Sequence, residues 1–285
     1  MMKNVFLLAA LSLCLFVSCD NDDNDPVPGY VSAETKAAFD EKYPSVKDVE
    51  WETRNDYLVV DFKQDRVDKE AWFDNKGSWY MTETDIPFEQ LPGAVKTAFQ
   101  QSEYATWKVD DVDLIERRDV ETVYVLEVEQ GKQEVDLYYA QDGILVKTVL
   151  DADHNNGYED FIPSQPSSSV VDFIKEHYPS ARIVDIDREK GMTEVEILDG
   201  KFCRELLFDE GNAWLQTKTE LHAAALPDVV MAAIKSSEYA DYRIEDVDFI
   251  ETKTGSFYLV ELELGEREVM LRINGQGEII SPAVI

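Results

Sequence analysis

Residues 91–105 read LPGAVKTAFQQSEYA, and residues 226–240, 135 positions later, read LPDVVMAAIKSSEYA. The same interval separates FDNKGSW at 73–79 from FDEGNAW at 208–214. Stretches that repeat their apolar, turn and helix-start residues at one spacing predict the same local structure twice. The chain is therefore predicted to contain two domains of roughly 120 to 130 residues, each long enough to bury its own core.

Each copy contains a shorter repeat of its own. KAAF at 36–39 and KTAF at 96–99 are 60 positions apart, and Ile174 and Ile234 repeat that interval. Each of these stretches has helical spacing, and runs with strand-like alternation follow it, as at 58–62. Because one helix cannot cover a four-stranded face, two such units should share one sheet and core. The predicted fold class is α+β: two tandem domains, each a duplicated unit of one helix and four antiparallel strands, with helices packed on one face of the sheet.

A polar stretch rich in Pro and Ser, DADHNNGYEDFIPSQPSSS at 151–169, lies between the copies and is predicted to be the linker. Domain 1 is placed at 30–150 and domain 2 at 170–285. The interval from Phe99 to Ile174 is 75 residues instead of 60. The linker is therefore an insertion of about 15 residues into an otherwise regular series, which is long enough to permit hinge motion.

These features resemble the PepSY-like family, also described as β-lactamase-inhibitor-like, whose members are small secreted or lipid-anchored domains. The residues that carry the resemblance in the first copy are Tyr43-Pro44-Ser45, Val49-Glu50-Trp51, Phe73-Asp74 with Trp79, Leu91-Pro92, Asp111-Val112 and the hairpin from Glu134 to Ile144. Those in the second copy are Tyr178-Pro179-Ser180, Phe208-Asp209, Leu226-Pro227, Asp246-Val247 and Glu268-Val269 with Gly277. They are packing and turn residues, so the resemblance implies tandem α+β domains rather than a particular chemistry. The family description also suggests binding or inhibition of another protein.

The N-terminus has the pattern of an exported protein. Its apolar run at 5–17 has 13 residues, which is too short to span a bilayer about 30 Å thick but typical of a signal peptide. LFVSC at 15–19 resembles a bacterial lipobox, so 1–18 is predicted to be a lipoprotein signal peptide and Cys19 the lipid attachment site. The acidic, flexible tether at 19–29 is similar to that of Bacteroidetes lipoproteins. The predicted location is the cell envelope, as an outer-membrane lipoprotein facing the periplasm or cell surface; the alternative is an ordinary signal peptide with a chance Cys.

Acidic residues dominate the chain: 59 Asp and Glu against 27 Lys and Arg give a net charge of −32. Such a field repels phosphate backbones, so nucleic-acid binding is disfavoured. The expected partner is an unknown protein or a basic or cationic molecule, with membrane contact through the N-terminal lipid only. The alternative is an acidic surface that serves solubility alone.

The sequence indicates no catalytic site and no resident cofactor. The three His, at 154, 177 and 222, show no metal-ligand spacing, and phosphate-loop and nucleophile-elbow motifs are absent. Cys203 lies in an apolar run and is predicted to be a small buried hydrophobic residue. The predicted function is therefore a non-catalytic, lipid-anchored envelope binding protein. A Ca²⁺-binding envelope module and a hydrolase with an unrecognised site are the alternatives.

The linker holds a pattern of oxygen ligands. Asp151, Asp153 and Asn155 alternate, Gly157 permits a turn, and Glu159 follows. Hard oxygen ligands at alternate positions of a tight loop are how EF-hand-type sites hold Ca²⁺, although the glycine is one position late here. The pattern suggests a Ca²⁺ site; the alternative is a plain polar linker.

Strand alternation suggests contact residues for a partner. If Phe73 and Phe208 face the core, then Trp72 and Leu207 point to the other face of the sheet, and Tyr138 does so beside inward-facing Leu137. Aromatic side chains exposed on a sheet face are candidate anchors for a protein partner. The alternative is that these residues belong to the core.

Overall fold

A computed structural model describes residues 28–150, 162 and 164–284. Domain 1 contains two α-helices and eight strands, and each strand pairs antiparallel with the next strand in the chain. Its elements are α1 (Ala33–Lys42), β1 (Glu50–Arg54), β2 (Tyr57–Gln64), β3 (Val67–Phe73), β4 (Trp79–Asp85), α2 (Gly93–Gln101), β5 (Lys108–Arg117), β6 (Val123–Gln130), β7 (Gln133–Ala140) and β8 (Leu145–Leu150). One sheet runs in the order β1 to β8, which confirms the prediction that two repeats share a sheet.

Domain 2 repeats this architecture in a second eight-stranded sheet. Its elements are α3 (Ser168–His177), β9 (Arg182–Glu189), β10 (Met192–Asp199), β11 (Phe202–Phe208), β12 (Trp214–Glu220), α4 (Asp228–Lys235), β13 (Arg243–Thr252), β14 (Gly255–Leu264), β15 (Arg267–Asn274) and β16 (Ile279–Val284). No helix in the described part of the chain is long and apolar enough to cross a membrane.

Matching serines start the first helix of each domain. The hydroxyl of Ser32 accepts a hydrogen bond from the backbone N–H of Thr35, and Ser167 does the same for Val170. Such caps satisfy one of the N–H groups that have no partner within the helix. Ser167 is therefore the N-cap residue of α3.

Two glycines hold the last hairpin of each domain against its second helix. Gly143 and Gly277 have φ of +84° and +81°, a conformation that few other residues adopt without strain. A Cβ atom at Gly143 would lie 2.6 Å from the carbonyl oxygen of Ala94 in α2, and one at Gly277 would lie 2.8 Å from that of Val229 in α4. The turns approach the helix backbones so closely that only glycine fits.

Both helices of a domain pack on the same face of its sheet. In domain 1, Phe39 of α1 lies in one cluster with Val60 and Phe73, while Phe99 of α2 lies in a second cluster with Leu126. Domain 2 has the same two clusters, built on Ile174 of α3 and Ile234 of α4. The predicted α+β fold with helices on one face is confirmed.

The opposite face of each sheet carries no helix and is called the helix-free face. On domain 1 this face contains an apolar cluster that includes Trp72, Met81 and Ile115. Val184 and Leu198 of domain 2 belong to the same cluster. The two domains therefore share a buried apolar interface in addition to their separate cores.

Candidate binding surfaces

The interdomain interface covers the aromatic residues of the helix-free face of domain 1. Trp72 is 0% exposed and Tyr138 is 4% exposed. Both point away from the helices, as strand alternation predicted. The expectation that they are exposed anchors for an external partner is wrong, because domain 2 packs on this face and buries them.

An arginine ties the two domains together beside this apolar cluster. The Arg117 side chain is fully buried, with its Nη1 3.1 Å from Oδ1 of Asp185 and its Nη2 2.5 Å from the backbone oxygen of Val184. Burial lowers the pKa of Arg117 to about 10, although the charge of Asp185 opposes that shift. A guanidinium remains charged at neutral pH under these conditions, so Arg117 and Asp185 form a buried interdomain ion pair.

A second set of contacts borders the ion pair. The backbone N–H of Glu121 donates to the carbonyl of Ile183 at 2.7 Å. Arg182 donates to the carboxylates of Glu121 at 2.6 Å and Asp142 at 2.5 Å. The end of β9 is thus fixed to two loops of domain 1 by charge-assisted hydrogen bonds.

Glu196 on β10 brings a further carboxyl group to this interface. Burial, reinforced by the charge of Asp185 and opposed by Lys147, raises the pKa of Glu196 to about 7. Its Oε2 is buried without a hydrogen-bond partner among the residues that the structure describes. The interface therefore contains a carboxyl group that titrates near neutral pH.

Carboxylates form a row across the helix-free face of domain 1. In the register of the strands, Asp61 lies opposite Glu70, and Glu70 lies opposite Glu83. Burial, with the nearby Asp113, raises the pKa of Glu83 to about 8. Carboxylate oxygens of Glu52, Asp61 and Glu70 lie within 4.8 Å of one another. Arg54 bonds Glu70 through both terminal nitrogens, at 2.7 and 2.6 Å, and also contacts Glu52, so a cation already lies in this group.

The helix-free face of domain 2 has apolar side chains at its centre. Phe257 is paired with Ile250 across β13 and β14, and Leu259 and Met270 lie on the same face. Ile250 is 5% exposed, and the other three are half-buried. The guanidinium of Arg272, which occupies the position of Tyr138 in the repeat, lies 3.7 Å from the centre of the Phe257 ring. Leu207, at the position of Trp72, is half-buried at the margin of this face.

Charged groups surround these apolar residues. Lys218 contacts Glu205, and the hydrogen bond and charge of Glu205 raise the pKa of Lys218 against the opposing effect of burial. Burial, together with the charge of Asp246, raises the pKa of Asp248 to about 6. The face therefore combines a half-buried apolar centre with a rim in which carboxylates outnumber cations.

Several residues singled out from the sequence are not brought together here. Cys19 and the predicted Ca²⁺ ligands Asp151, Asp153, Asn155 and Glu159 lie outside the described residues, so both sites stay predictions. Cys203 is half-buried against the interdomain cluster, and burial raises the pKa of its thiol to about 12. Such a thiol is protonated at neutral pH, in agreement with the prediction of an unreactive, packed residue.

Sequence reasoning missed the ion pair that joins the domains. Arg117 and Asp185 are 68 residues apart and lie on strands of different sheets. One signal was available in the sequence. The first copy has a charged residue, Arg117, at the position where the second copy has Thr252. That difference marks the position but does not identify its partner.

Comparisons with known proteins support a single family. The family model "Putative beta-lactamase-inhibitor-like, PepSY-like" matches residues 55–147, 158–209 and 192–281, and so reaches both domains. No curated protein matches.

Among solved structures, a BLIP-like protein from Bacteroides fragilis is 37% identical, with a TM-score of 0.42, over 47% of this chain and 94% of its own. A DUF2874 family protein from Bacteroides ovatus is 31% identical, with a TM-score of 0.41, over 45% of this chain and 89% of its own. Another from Bacteroides uniformis is 26% identical, with a TM-score of 0.41, over 42% of this chain and 90% of its own.

Proposed function

Because the chain belongs to the PepSY-like, β-lactamase-inhibitor-like family, we propose that it is a non-catalytic binding protein that docks another protein on the helix-free face of domain 2. The observation that carries the proposal is internal to the molecule. The matching face of domain 1 already buries a protein surface, that of domain 2, around Trp72 and Tyr138. In domain 2 the same face carries Phe257, Leu259 and Met270 half-buried. Such an apolar centre with a polar rim is the usual anatomy of a protein interface.

The charge of the face favours a basic partner. Asp248 lies on a strand that carries the apolar centre, Glu194 and Glu205 lie on β10 and β11 of the same sheet, and Lys218 offsets only part of their charge. The chain as a whole carries a net charge of −32. Electrostatic attraction of this kind raises the rate of association and is weakened by salt. A basic protein surface with an apolar centre is therefore the occupant that fits.

Site-specific photo-crosslinking in intact cells tests the proposal. A photoreactive residue replacing Phe257 or Met270 should give an adduct with one partner protein, in lower yield as salt increases. The matched control is Tyr258, which follows Phe257 in the same strand and packs on the helix side. Failure to form an adduct at Phe257 and Met270, or equal adducts at Tyr258, would contradict docking on this face.

We also propose that the protein is held in the cell envelope by lipid on Cys19, as the leader sequence predicts. Removal of the thiol by Cys19→Ser should move the protein from the membrane fraction to the soluble fraction. Cys203→Ser is the matched control and should leave the protein at the membrane. Membrane retention of the Cys19 variant would refute the lipid anchor while leaving the docking face untouched.

A further inference from the structure

A cavity of about 500 Å³ lies over the middle of the domain 2 sheet, on the side of the helices. Its walls include the following residues: Tyr178, Phe202, Arg204, Thr219, Phe249 and Glu251. The volume is in the range of cavities that bind small molecules, which are usually apolar with a few placed polar groups. These six residues have this composition, with three aromatic rings, one cation, one anion and two hydroxyls.

One end of the cavity presents a cation with unused donors. Arg204 donates from Nη1 to Oγ1 of Thr219 at 2.8 Å and from Nε to Asp199 at 3.1 Å, and its Nη2 also lies 3.1 Å from Asp199. A guanidinium has five N–H donors, so these three contacts do not use all of them. The group is flanked by the rings of Tyr178 and Phe202, at 5.5 and 5.3 Å. This end suits a carboxylate, which would accept from Arg204 and from the hydroxyl of Thr219.

The other end presents a carboxylate. Glu251 is half-buried, and its carboxylate has no hydrogen bond or ion pair with any residue that the structure describes. Thr219 pairs with Phe249, so Glu251 is its diagonal neighbour, two positions further along β13. Diagonal neighbours on paired strands are about 7–8 Å apart. Thr219 and Glu251 are therefore separated by roughly that distance, and Arg204 lies one strand beyond Thr219, opposite Glu251 across the cavity.

Domain 1 does not have the same arrangement. Its counterpart of His177 is Lys42, whose ammonium lies 3.6 Å from the centre of the Trp79 ring. Burial lowers the pKa of Lys42, and the charge of Glu116, the counterpart of Glu251, partly opposes that shift. The ring of Phe62 also packs 4.6 Å from that of Tyr43.

In domain 2 each of these features is different. Phe173 lies between Trp214 and His177 in a stack with centre separations of 5.6 and 4.0 Å. Ile197 stands where domain 1 has Phe62. With these replacements Glu251 has no ion pair with any residue that the structure describes, and Tyr178 lines the cavity.

We infer that this cavity binds a short zwitterionic peptide, of about two residues, with large apolar side chains. An extended chain of two residues spans about 7 Å, which is comparable with the separation of Thr219 and Glu251. Its carboxylate is held by Arg204 and Thr219, and its ammonium by Glu251. Its side chains pack on the rings of Tyr178, Phe202 and Phe249. A ligand without net charge also fits a chain whose overall field repels anions. The inference concerns the opposite face from the proposed docking surface and stands independently of it.

Titration calorimetry of the full-length protein with the dipeptide phenylalanyl-leucine tests the inference. The unmodified dipeptide should bind, and acetylation of its N-terminus or amidation of its C-terminus should weaken binding about tenfold or more, because each removes one charge-assisted contact. Free phenylalanine is too short to reach both ends and should also bind more weakly. No binding of the dipeptide, or equal binding of the capped forms, would overturn the inference.

Paired variants locate the site. Glu251→Gln removes a carboxylate that has no bond to lose in the free protein, so it should leave the fold intact and weaken binding about tenfold. Arg204→Gln should weaken binding at least as much, while the control variants Glu116→Gln and Lys69→Gln in domain 1 should leave it unchanged. Equal losses in both domains, or unchanged affinity of the Glu251 variant, would place the ligand elsewhere and refute the proposal.

Discussion

The helix-free faces of the two domains have the same backbone and different surroundings. Domain 1 has Trp72, Arg117 and Tyr138 at positions where domain 2 has Leu207, Thr252 and Arg272. The first set is buried under domain 2, whereas Leu207 and Thr252 are half-buried and Arg272 is exposed. At these matching positions the face is buried between the domains in domain 1 and stays at least partly exposed in domain 2. Substitutions at these positions should therefore affect one domain much more than the other.

The largest difference is expected at Trp72 and Leu207. Trp72→Ala should reduce the free energy of unfolding by about 3–5 kcal/mol, because it removes a fully buried indole and leaves a cavity between the domains. Leu207→Ala removes a half-buried side chain and should cost about 1 kcal/mol. Urea unfolding followed by circular dichroism measures both values. Similar losses for the two variants would mean that domain 2 does not cover Trp72 in solution.

Arg117 should show the next largest effect. Arg117→Ala leaves Asp185 buried without its guanidinium partner and should cost about 3 kcal/mol, as removal of one member of a buried pair does elsewhere. Thr252→Ala, at the equivalent position, should cost less than about 1 kcal/mol. Calorimetry should resolve two transitions in the Arg117 variant, because its domains are less tightly coupled. One unchanged transition would contradict the role of this ion pair in joining the domains.

The fold of each domain follows from local sequence patterns, whereas the contacts between the domains do not. The repeats and the alternation of Phe73 and Trp72 are local patterns, and they were sufficient for the α+β fold and for the face to which each of these side chains points. Burial of Trp72 depends on how a second domain docks, and docking involves contacts such as Arg117 with Asp185 across two sheets. Local periodicity does not contain that information. The cavity was missed for a related reason: it depends on packing differences, such as Phe62 against Ile197, within the same predicted pattern.

A smaller, pH-dependent difference is expected at Glu83 and its counterpart Lys218. The pKa of Glu83 is raised to about 8 by burial and neighbouring carboxylates, so the folded chain binds this proton more tightly than the unfolded chain. Its contribution favours folding at low pH and is lost as pH rises from about 4.5 to about 8. Glu196, with a pKa of about 7, acts in the same direction. The free energy of unfolding should therefore fall over this range.

Substitutions at the two positions should have opposite signs at pH 8. Glu83→Gln should stabilise the protein by about 1–3 kcal/mol at pH 8 and have little effect at pH 5, because it removes a charge that burial disfavours. Lys218→Gln leaves Glu205 without its ion-pair partner and should destabilise the protein by about 1 kcal/mol at pH 8. Urea unfolding at both pH values measures these changes. A Glu83 variant whose stability change is the same at pH 5 and pH 8 would contradict the buried titration.

The smallest difference is expected at the turn that both domains share. Oδ1 of Asp74 accepts hydrogen bonds from the backbone N–H groups of Lys76 and Ser78 at 2.9 and 2.8 Å, and Oδ1 of Asp209 accepts two such bonds at 2.9 Å. Asp74→Ala and Asp209→Ala should each cost about 1 kcal/mol at pH 7, since each removes the same side-chain support from a β-turn. Thermal unfolding of the two variants measures the costs. Unequal losses would show that the domains differ even where their hydrogen bonds match, and that the helix-free faces are not the main site of divergence.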